Sequence, residues 1–151
     1  MNEKEYREKI EEIYPALFRI ALGILKNAQD AADCLQEAVF RGWIKRTQLK
    51  KPESFRAWMT RIIFSEARNL QRKAARQRKT LPAPEHTPTT PLRGALFSLP
   101  EKYRVPLILF YMEGYSTREI AQMLQIPEGR TRERMRVGRN MIRRLMEDEE
   151  K

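Results

Sequence analysis

Residues 115–139 have the sequence YSTREIAQMLQIPEGRTRERMRVGR, and this stretch decides the fold. Its pattern predicts a helix, a tight turn and a second helix. Ser116 is a suitable N-cap, and Glu119, three residues later, would complete a capping box. Pro127 suits the first position of the second helix, because its missing N–H would lack a partner there in any case. The stretch therefore predicts a helix-turn-helix with its turn at residues 125–126.

The second helix of this pair has one apolar face and a strongly basic remainder. Small or apolar residues recur at alternating spacings of four and three, as a buried helix face requires; they are Thr131, Met135, Gly138, Ile142 and Leu145. The other faces carry arginines, namely Arg130, Arg132, Arg134, Arg136, Arg139, Arg143 and Arg144. Arginine binds phosphates and pairs bidentately with guanine O6 and N7 in the major groove. The pattern favours a DNA-recognition helix over a solvated basic helix that only packs on a bundle.

The composition narrows the class of protein. Of the 151 residues, 33% are charged. The longest apolar run, residues 105–112, is much shorter than the roughly 20 residues that cross a bilayer. The first residues, MNEKEY, are charged, which is unlike a signal peptide. We therefore expect a cytoplasmic protein without direct membrane insertion.

The residues typical of catalytic and metal sites are scarce. Cys34 and His86 are the single cysteine and the single histidine, too few for a disulfide or a zinc site without clustered carboxylates. Cys34 is expected to be a small buried apolar residue. The sequence shows no Ser/His/Asp set, no glycine-rich phosphate loop and no paired carboxylates in a plausible pocket. We expect no enzyme, no cofactor, no metal and no small-molecule substrate.

The net charge of +10 is concentrated in two separate stretches. Residues 56–79 hold eight basic residues against Glu66, and residues 130–144 hold seven arginines against Glu133. Two basic helices on one chain suggest a polyanion that is contacted twice. A membrane surface is the rival polyanion, but neither helix has a broad apolar face beyond the one that its core needs.

The periodicity is helical throughout, and no stretch alternates as a strand would. Residues 80–91 contain four of the nine prolines, with threonines between them, which predicts an extended linker. We therefore predict an all-α chain with two small helical domains, residues 1–79 and 92–151, joined by a Pro/Thr linker at 80–91. Domains of this size are marginally stable.

Proline, glycine and capping residues predict where the helices begin and end. In the first domain, Pro15 should kink or divide the first helix, Asp30 should cap the second, and Ser54 should cap the third. In the second domain, Pro106 should interrupt a helix, and Gly114 should provide a left-handed C-cap. The acidic residues after 145 are expected to fray.

Several motifs occur in an order that resembles a known family. They are DAADCLQE at 30–37, FRAW at 55–58 before a basic helix, LPEKYR at 99–104, GYSTREIA at 114–121 and IPEG at 126–129. Together they resemble the extracytoplasmic-function (ECF) class of bacterial sigma-70 family RNA polymerase sigma factors. The resemblance extends over residues 6–146. It implies a protein that binds core RNA polymerase, directs it to −35 and −10 promoter elements and assists promoter melting at transcription initiation.

The resemblance also implies roles for individual residues. Core RNA polymerase would contact Asp33, Gln36, Glu37 and Arg41, although composition alone favours a solvated helix face there. Promoter DNA at the −10 element would contact Lys50, Lys51, Arg61, Ser65, Arg68, Asn69, Arg72 and Lys73. The −35 element would contact Arg118, Arg130, Arg132, Glu133, Arg134, Arg136 and Arg139. An anti-sigma factor is the further partner that the resemblance implies.

Some side chains allow two interpretations. Phe55 and Trp58 could stack on unpaired bases, but their spacing with Met59 and Ile62 favours a place in the core. Glu133 could accept a hydrogen bond from cytosine N4 or could pair with a neighbouring arginine.

The sequence departs from the family's pattern at several positions. Ser65 stands where the family usually has Asn, Asn69 where Asp is frequent, and Ala32 where Glu is frequent. Glu133 lies where the family has a small or polar residue, and Val137 lies where a basic residue is frequent. Phe110 replaces a frequent Arg. These departures concern the promoter sequence more than the function.

A second function is compatible with the helix-turn-helix alone. The chain could be a stand-alone helix-turn-helix transcriptional regulator. Such regulators usually dimerise to bind palindromic half-sites. The sequence shows no dimerisation module, and the first domain would then have no role.

Overall fold

The computed structural model describes residues 1–51, 54–77 and 90–150. Residues 149 and 150 are described by their backbone alone. Every regular element in these ranges is helical, and the chain divides into two compact units, Met1–Glu85 and His86–Lys151. The predicted all-α class with two helical domains is confirmed. Residues 80–89 of the predicted linker lie outside the described residues. Pro91, which we assigned to the linker, is instead the first residue of a helix.

The first unit is built from three mutually packed helices: α1 (Glu3–Leu25), α2 (Ala28–Ile44) and α3 (Phe55–Arg76). A short 3-10 helix, Arg46–Gln48, follows α2. Each α-helix has an apolar side, and burial of these sides stabilises the unit. The side chains that are almost completely buried in this core include Leu17, Ile20, Leu35, Met59 and Ile63.

Helix α1 continues through Pro15, so the prediction that this proline divides it was wrong. Pro15 cannot donate to the carbonyl of Glu11, but both residues lie on the exposed side of the helix, where water can satisfy that carbonyl. Ile10 and Leu17, on either side of the proline, are both buried in the same core. Their packing therefore outweighs the loss of one hydrogen bond.

The N-cap of helix α2 lies three residues before Asp30, which we predicted for that position. The cap is Asn27, whose Oδ1 accepts a hydrogen bond from the Asp30 N–H at 3.0 Å. Asp30 lies in the first turn with Oδ2 buried. Burial, followed by the nearby charge of Asp33, raises the pKa of the Asp30 carboxyl. Ser54 does occupy the N-cap position of α3, but its side chain makes no capping hydrogen bond.

Helix α2 comes very close to its neighbours at Gly42. A Cβ atom there would lie 2.5 Å from the Tyr6 hydroxyl oxygen and 2.8 Å from Met59 Sδ. The Tyr6 hydroxyl cannot easily move, because it donates to the Val39 carbonyl at 2.6 Å. The close approach of the three helices therefore requires glycine at this position.

Gly42→Ala is expected to lower the free energy of unfolding by about 1–3 kcal/mol, because the added methyl group overpacks the core. This loss exceeds the gain in helix propensity of about 1 kcal/mol. Urea unfolding followed by circular dichroism measures the change. Gly129→Ala is the matched control, since a Cβ there meets no atom within 4 Å. Equal stability of the two variants would contradict the close packing at Gly42.

The second unit contains α4 (Pro91–Ser98), α5 (Glu101–Leu107), α6 (Thr117–Leu124) and α7 (Glu128–Glu150). Helix α7 packs against the other three. Leu99, Leu107 and Met135 form a buried cluster, and partly buried apolar residues surround it: Leu96, Tyr103, Met141 and Ile142. The long C-terminal helix is thus the central element of this unit.

The chain between α5 and α6 contains a π-helix, Ile108–Met112. Pro106 lies inside α5, so the predicted interruption at this proline was wrong, and the regular α-helix ends one residue later. Gly114 has φ 76°, which confirms the predicted left-handed position at the end of this segment.

The helix-turn-helix is formed as predicted. Ser116 Oγ accepts from the Glu119 N–H at 3.1 Å, and Glu119 Oε1 accepts from the Ser116 N–H at 3.0 Å, which completes the capping box. Gln125 makes the turn with φ 57°. Pro127 immediately precedes α7 instead of starting it. The predicted fraying was wrong, because α7 continues to Glu150 through residues that favour helix.

Candidate nucleic-acid interface

Helix α7 is fixed to its unit by one narrow face. Thr131 and Met135 are buried, Gly138 lies against Leu107 and Tyr103, and Ile142 is partly buried. The Thr131 hydroxyl also donates to the carbonyl of residue 127 at 3.2 Å. The predicted apolar face is therefore confirmed over its first three turns. It ends before Leu145, which is 40% exposed.

The solvent-facing side of α7 holds the predicted −35 residues. At about 100° per residue, Glu133 lies roughly opposite the buried face, with Arg136 beside it. Both are exposed. The remaining predicted −35 residues of α7 flank this central pair on both sides; they are Arg130, Arg132, Arg134 and Arg139. Arg118 is exposed on the preceding helix, α6.

Two arginines of α7 are held by carboxylates of the same helix. Arg132 Nη2 lies 2.6 Å from Glu128 Oε1. Arg136 donates from Nε to Glu133 Oε2 at 3.0 Å and from Nη2 to Oε1, so this pair is bidentate. The hydrogen bond with Arg136 lowers the pKa of the Glu133 carboxyl. Of the two interpretations of Glu133, pairing with a neighbouring arginine is present in the free protein.

The other arginines of the predicted −35 set have no such partner. Within residues 90–148, the structure gives no ion pair to Arg130, Arg134 or Arg139. Their charges are available for phosphates, the groups that dominate the affinity of DNA-binding proteins. The outer side of α7 thus combines a neutralised centre with cationic flanks.

Helix α3 carries the other basic surface. Arg61, Ser65, Arg68 and Arg72 are all exposed, and their spacing of four, three and four residues places them along one side of the helix. Asn69 and Lys73 are exposed beside this line. Arg68 donates to Gln71 Oε1 at 3.2 Å. Lys50 and Lys51 are exposed before the start of α3. The predicted −10 residues of α3 therefore form a continuous surface.

The two aromatic residues at the start of α3 differ in burial. Phe55 is buried, and its ring meets the Tyr6 ring edge-on with 5.9 Å between centroids. This confirms the interpretation of Phe55 as a core residue. Trp58 is partly buried, with its ring 6.1 Å from that of Phe55. Trp58 is therefore less completely buried than Phe55.

The exposed side of α2 carries the predicted polymerase-binding residues and two that sequence reasoning missed. Asp33, Gln36 and Glu37 are exposed on one side of the helix. Phe40 and Ile44 continue the same side and are 59% and 58% exposed. Their spacing from Asp33, at seven and eleven residues, could have revealed them, because it follows the helical period. We call these five residues the α2 outer face.

Arg41 leaves this face and contacts α3. Its Nε lies 2.6 Å from Glu66 Oε1 and 3.4 Å from Glu37 Oε1. The Glu66 side chain is only 7% exposed, whereas that of Arg41 is 44% exposed. The guanidinium therefore bridges a buried carboxylate of α3 and an exposed one of α2.

Arg41→Ala is expected to destabilise the protein by about 1–3 kcal/mol, because the buried Glu66 carboxylate loses a charged hydrogen-bond partner. Urea unfolding measures the loss. Glu37→Ala is the control, since it removes only the longer, exposed contact and should change stability by less than about 0.5 kcal/mol. If Arg41→Ala left stability unchanged and weakened only polymerase binding, Arg41 would be a direct contact instead.

The geometry defines a class of protein: an all-α, two-unit DNA-binding protein with a helix-turn-helix in one unit and a second basic helix in the other. Sequence models of two protein families match the chain, Sigma-70 region 2 at residues 10–77 and Sigma-70, region 4 at residues 90–142. Together these matches cover most of the 151 residues, and the chain belongs to the sigma-70 family. The region 2 match contains the α2 outer face and the basic side of α3, and the region 4 match contains the helix-turn-helix.

Curated relatives agree with this membership. The chain is 28% identical over 143 residues to the probable RNA polymerase sigma factor RfaY of Xanthomonas campestris, covering 82% of this chain and 36% of that protein. It is 28% identical to sigma factor SigV of Bacillus subtilis, with 70% and 69% covered. It is also 28% identical to the ECF sigma factor SigE of Mycolicibacterium smegmatis, with 84% and 56% covered. The chain therefore spans about a third to two thirds of these relatives' lengths.

Solved structures share the fold. The sigma factor RpoE from Bartonella quintana, solved with the anti-sigma factor NepR, superposes with a TM-score of 0.85 at 20% identity, covering 95% of this chain and 98% of that one. CnrH, solved with the cytosolic domain of CnrY, gives a TM-score of 0.73 at 23% identity, covering 97% and 90%. Among the described helices of the present chain, none is long and apolar enough to span a membrane.

Proposed function

We propose that this chain is an RNA polymerase sigma factor of the ECF class. It binds core RNA polymerase, directs it to −35 and −10 promoter elements and assists melting at transcription initiation. The observation that carries the proposal is the presence of two separate basic helices, one per unit, of which one belongs to a helix-turn-helix. It acts by binding and is not an enzyme. Because core polymerase and promoters are cytoplasmic in bacteria, we expect it to act there.

In this proposal, α7 enters the major groove at the −35 element. The cationic flanks, Arg130, Arg134 and Arg139, contact phosphates and set the register of the helix. The centre of the outer side, around Glu133, then faces the base edges, where sequence is recognised. Arg118, on α6, contacts the backbone beside the groove, as the first helix of such motifs does.

The basic side of α3 binds the −10 element. Opening a duplex requires that unstacked bases be held by polar or aromatic groups while cations hold the backbone. Arg61, Arg68 and Arg72 supply cations along one line, and Lys50, Lys51 and Lys73 extend them. Ser65 and Asn69 lie among these cations and supply hydrogen-bonding groups for a base. Ser65 is shorter than the usual Asn, so it holds a base at closer range.

The α2 outer face binds core RNA polymerase. Phe40 and Ile44 form an apolar centre, and Asp33, Gln36 and Glu37 form a polar margin, the arrangement that protein interfaces typically have. Arg41 supports this face by fixing α2 to α3.

We also propose that an anti-sigma factor regulates the protein. Of the two structural neighbours, RpoE was solved with the anti-sigma factor NepR, and CnrH was solved with the cytosolic domain of CnrY.

The two domains divide the two promoter elements between them. We propose that residues 1–79 bind the polymerase and the −10 element, that residues 80–90 are a linker, and that residues 91–151, which include Pro91 at the start of α4, bind the −35 element. A chain of this design positions the polymerase through two DNA contacts.

Run-off transcription tests the proposal. The purified protein, mixed with core RNA polymerase and a library of genomic fragments, should produce transcripts with defined starts, whereas core polymerase alone should not. The alternative is a stand-alone helix-turn-helix regulator. Specific DNA binding by the protein alone, with no start site directed in the presence of core polymerase, would favour that alternative and contradict the sigma factor function.

A further inference from the structure

The Glu133–Arg136 pair occupies an unusual place for a surface ion pair. It lies at the centre of the outer side of α7, roughly opposite the buried face at about 100° per residue. This is the side that meets base edges if the proposed function is correct. An acidic residue at that place would be repelled by the phosphates of the groove, but Arg136 cancels its charge through two hydrogen bonds.

Both members of the pair keep free hydrogen-bonding groups. The contact with Glu133 occupies one N–H of Arg136 Nε and one of Nη2, and a guanidinium has five N–H groups. Three N–H groups, on Nη1 and Nη2, therefore remain. A carboxylate has about four lone-pair sites, and the pair uses two of them. The pair can thus contact DNA without breaking its own hydrogen bonds.

The free groups form an ordered pattern along the pair: an acceptor on Glu133, followed by donors on Arg136. The major-groove edge of a C·G pair presents the complementary order, with the N4 donor of cytosine followed by the O6 and N7 acceptors of guanine. The edge of a T·A pair begins instead with the O4 acceptor of thymine, and its donor is flanked by acceptors on both sides. The C·G edge alone offers two adjacent acceptors to Arg136 and, beside them, a donor for Glu133 that has no acceptor on its other side.

We propose that the Glu133–Arg136 pair recognises one C·G base pair of the −35 element, with cytosine opposite Glu133 and guanine opposite Arg136. This inference rests on the proposed function, because it requires α7 to lie in the major groove. It assigns a specificity-determining role to the two residues acting as one unit.

The test uses the full chain bound to core RNA polymerase and a library of duplex promoters with a randomised −35 region. Sequencing of the bound fraction gives the base preference at each position. The wild-type protein should enrich C·G at one position by about tenfold or more over the other pairs. Glu133→Ala should lose this preference at that position and keep the others.

Glu133→Gln tests the same residue by a change of base preference instead of a loss of base preference. Glutamine pairs bidentately with adenine N6 and N7, so this variant should change the preference at the same position from C·G towards A·T. Glu128→Ala is the matched control, because it removes the other ion pair of α7, the one with Arg132. The base preferences of the control should match those of the wild-type protein.

The outcomes separate the two hypotheses. Suppose that the wild-type complex enriches a −35 sequence and that Glu133→Ala and Glu133→Gln keep the same base preference at every position. The proposed recognition of C·G by this pair is then wrong, and the proposed sigma factor function is unaffected. If the wild-type complex enriches no −35 sequence at all, the proposed function itself fails, and the inference fails with it.

Discussion

Phe40→Asp is expected to weaken binding to core RNA polymerase by about a hundredfold, the size of effect seen when an interface hot spot is lost. Phe40 lies at the centre of the α2 outer face and is 59% exposed in the free protein. A buried aromatic ring at an interface contributes apolar area, whereas a carboxylate at the same place would be desolvated without a partner. Fluorescence anisotropy of the labelled chain, titrated with core polymerase, measures the change.

Tyr14→Asp is the matched control for this experiment. Tyr14 is a large side chain of the same unit, 45% exposed on α1, and lies outside the α2 outer face. Its replacement should change polymerase affinity by less than about threefold, as expected for a surface residue away from an interface. Circular dichroism should show that both variants remain folded. Equal affinities of Phe40→Asp and the wild-type protein would exclude the α2 outer face as the polymerase contact.

Arg104→Ala is expected to unfold the second unit and abolish binding to the −35 element. The Arg104 side chain is buried, and its Nη1 donates to the Leu99 carbonyl at 2.6 Å, which connects α5 to the end of α4. Burial lowers the pKa of Arg104, and the charge of Glu101 opposes this shift. The substitution removes this donor and leaves a cavity, at a cost of about 3–5 kcal/mol. A core of this size supplies about the same stability in total.

The unfolding is measured by the loss of helical circular dichroism and by thermal melting of the full chain. Lys102→Ala is the control, because Lys102 is an exposed cation of the same helix, two residues before Arg104. It should retain the melting curve and the DNA binding of the wild-type protein. Retention of a native melting curve by Arg104→Ala would show that Arg104 is not required for the second unit to fold.

Local sequence rules predicted those features that depend on near neighbours. The Ser116–Glu119 capping box, the left-handed Gly114 and the buried Thr131 and Met135 all follow from residues a few positions apart. Several wrong predictions concerned prolines and helix caps. Pro15 lies inside one helix because residues on both sides of it share a core, and Asn27 precedes Asp30 as a cap with the required extended backbone.

The candidate site was predictable in outline. Strong basic periodicity identified the exposed sides of α3 and α7, since charged residues almost always remain at the surface. Phe40 and Ile44 could also have been found, because they continue the spacing of Asp33. The contact of Arg41 with Glu66 could not, because these residues lie on different helices and meet only when α2 packs on α3.

The buried Cys34 has a practical consequence for fluorescence measurements. The residue is 2% exposed, its sulfur lies 3.6 Å from the Ile63 carbonyl oxygen, and burial together with the charge of Glu66 raises the pKa of its thiol to about 12. Thiolates react with maleimide dyes and thiols do not. Since Cys34 is the single cysteine of the sequence, a cysteine introduced on the surface can be labelled selectively in the otherwise wild-type chain. Two such cysteines, one on each unit, can carry a donor and an acceptor dye. Energy transfer between the dyes would then report the distance between the units as polymerase and promoter bind.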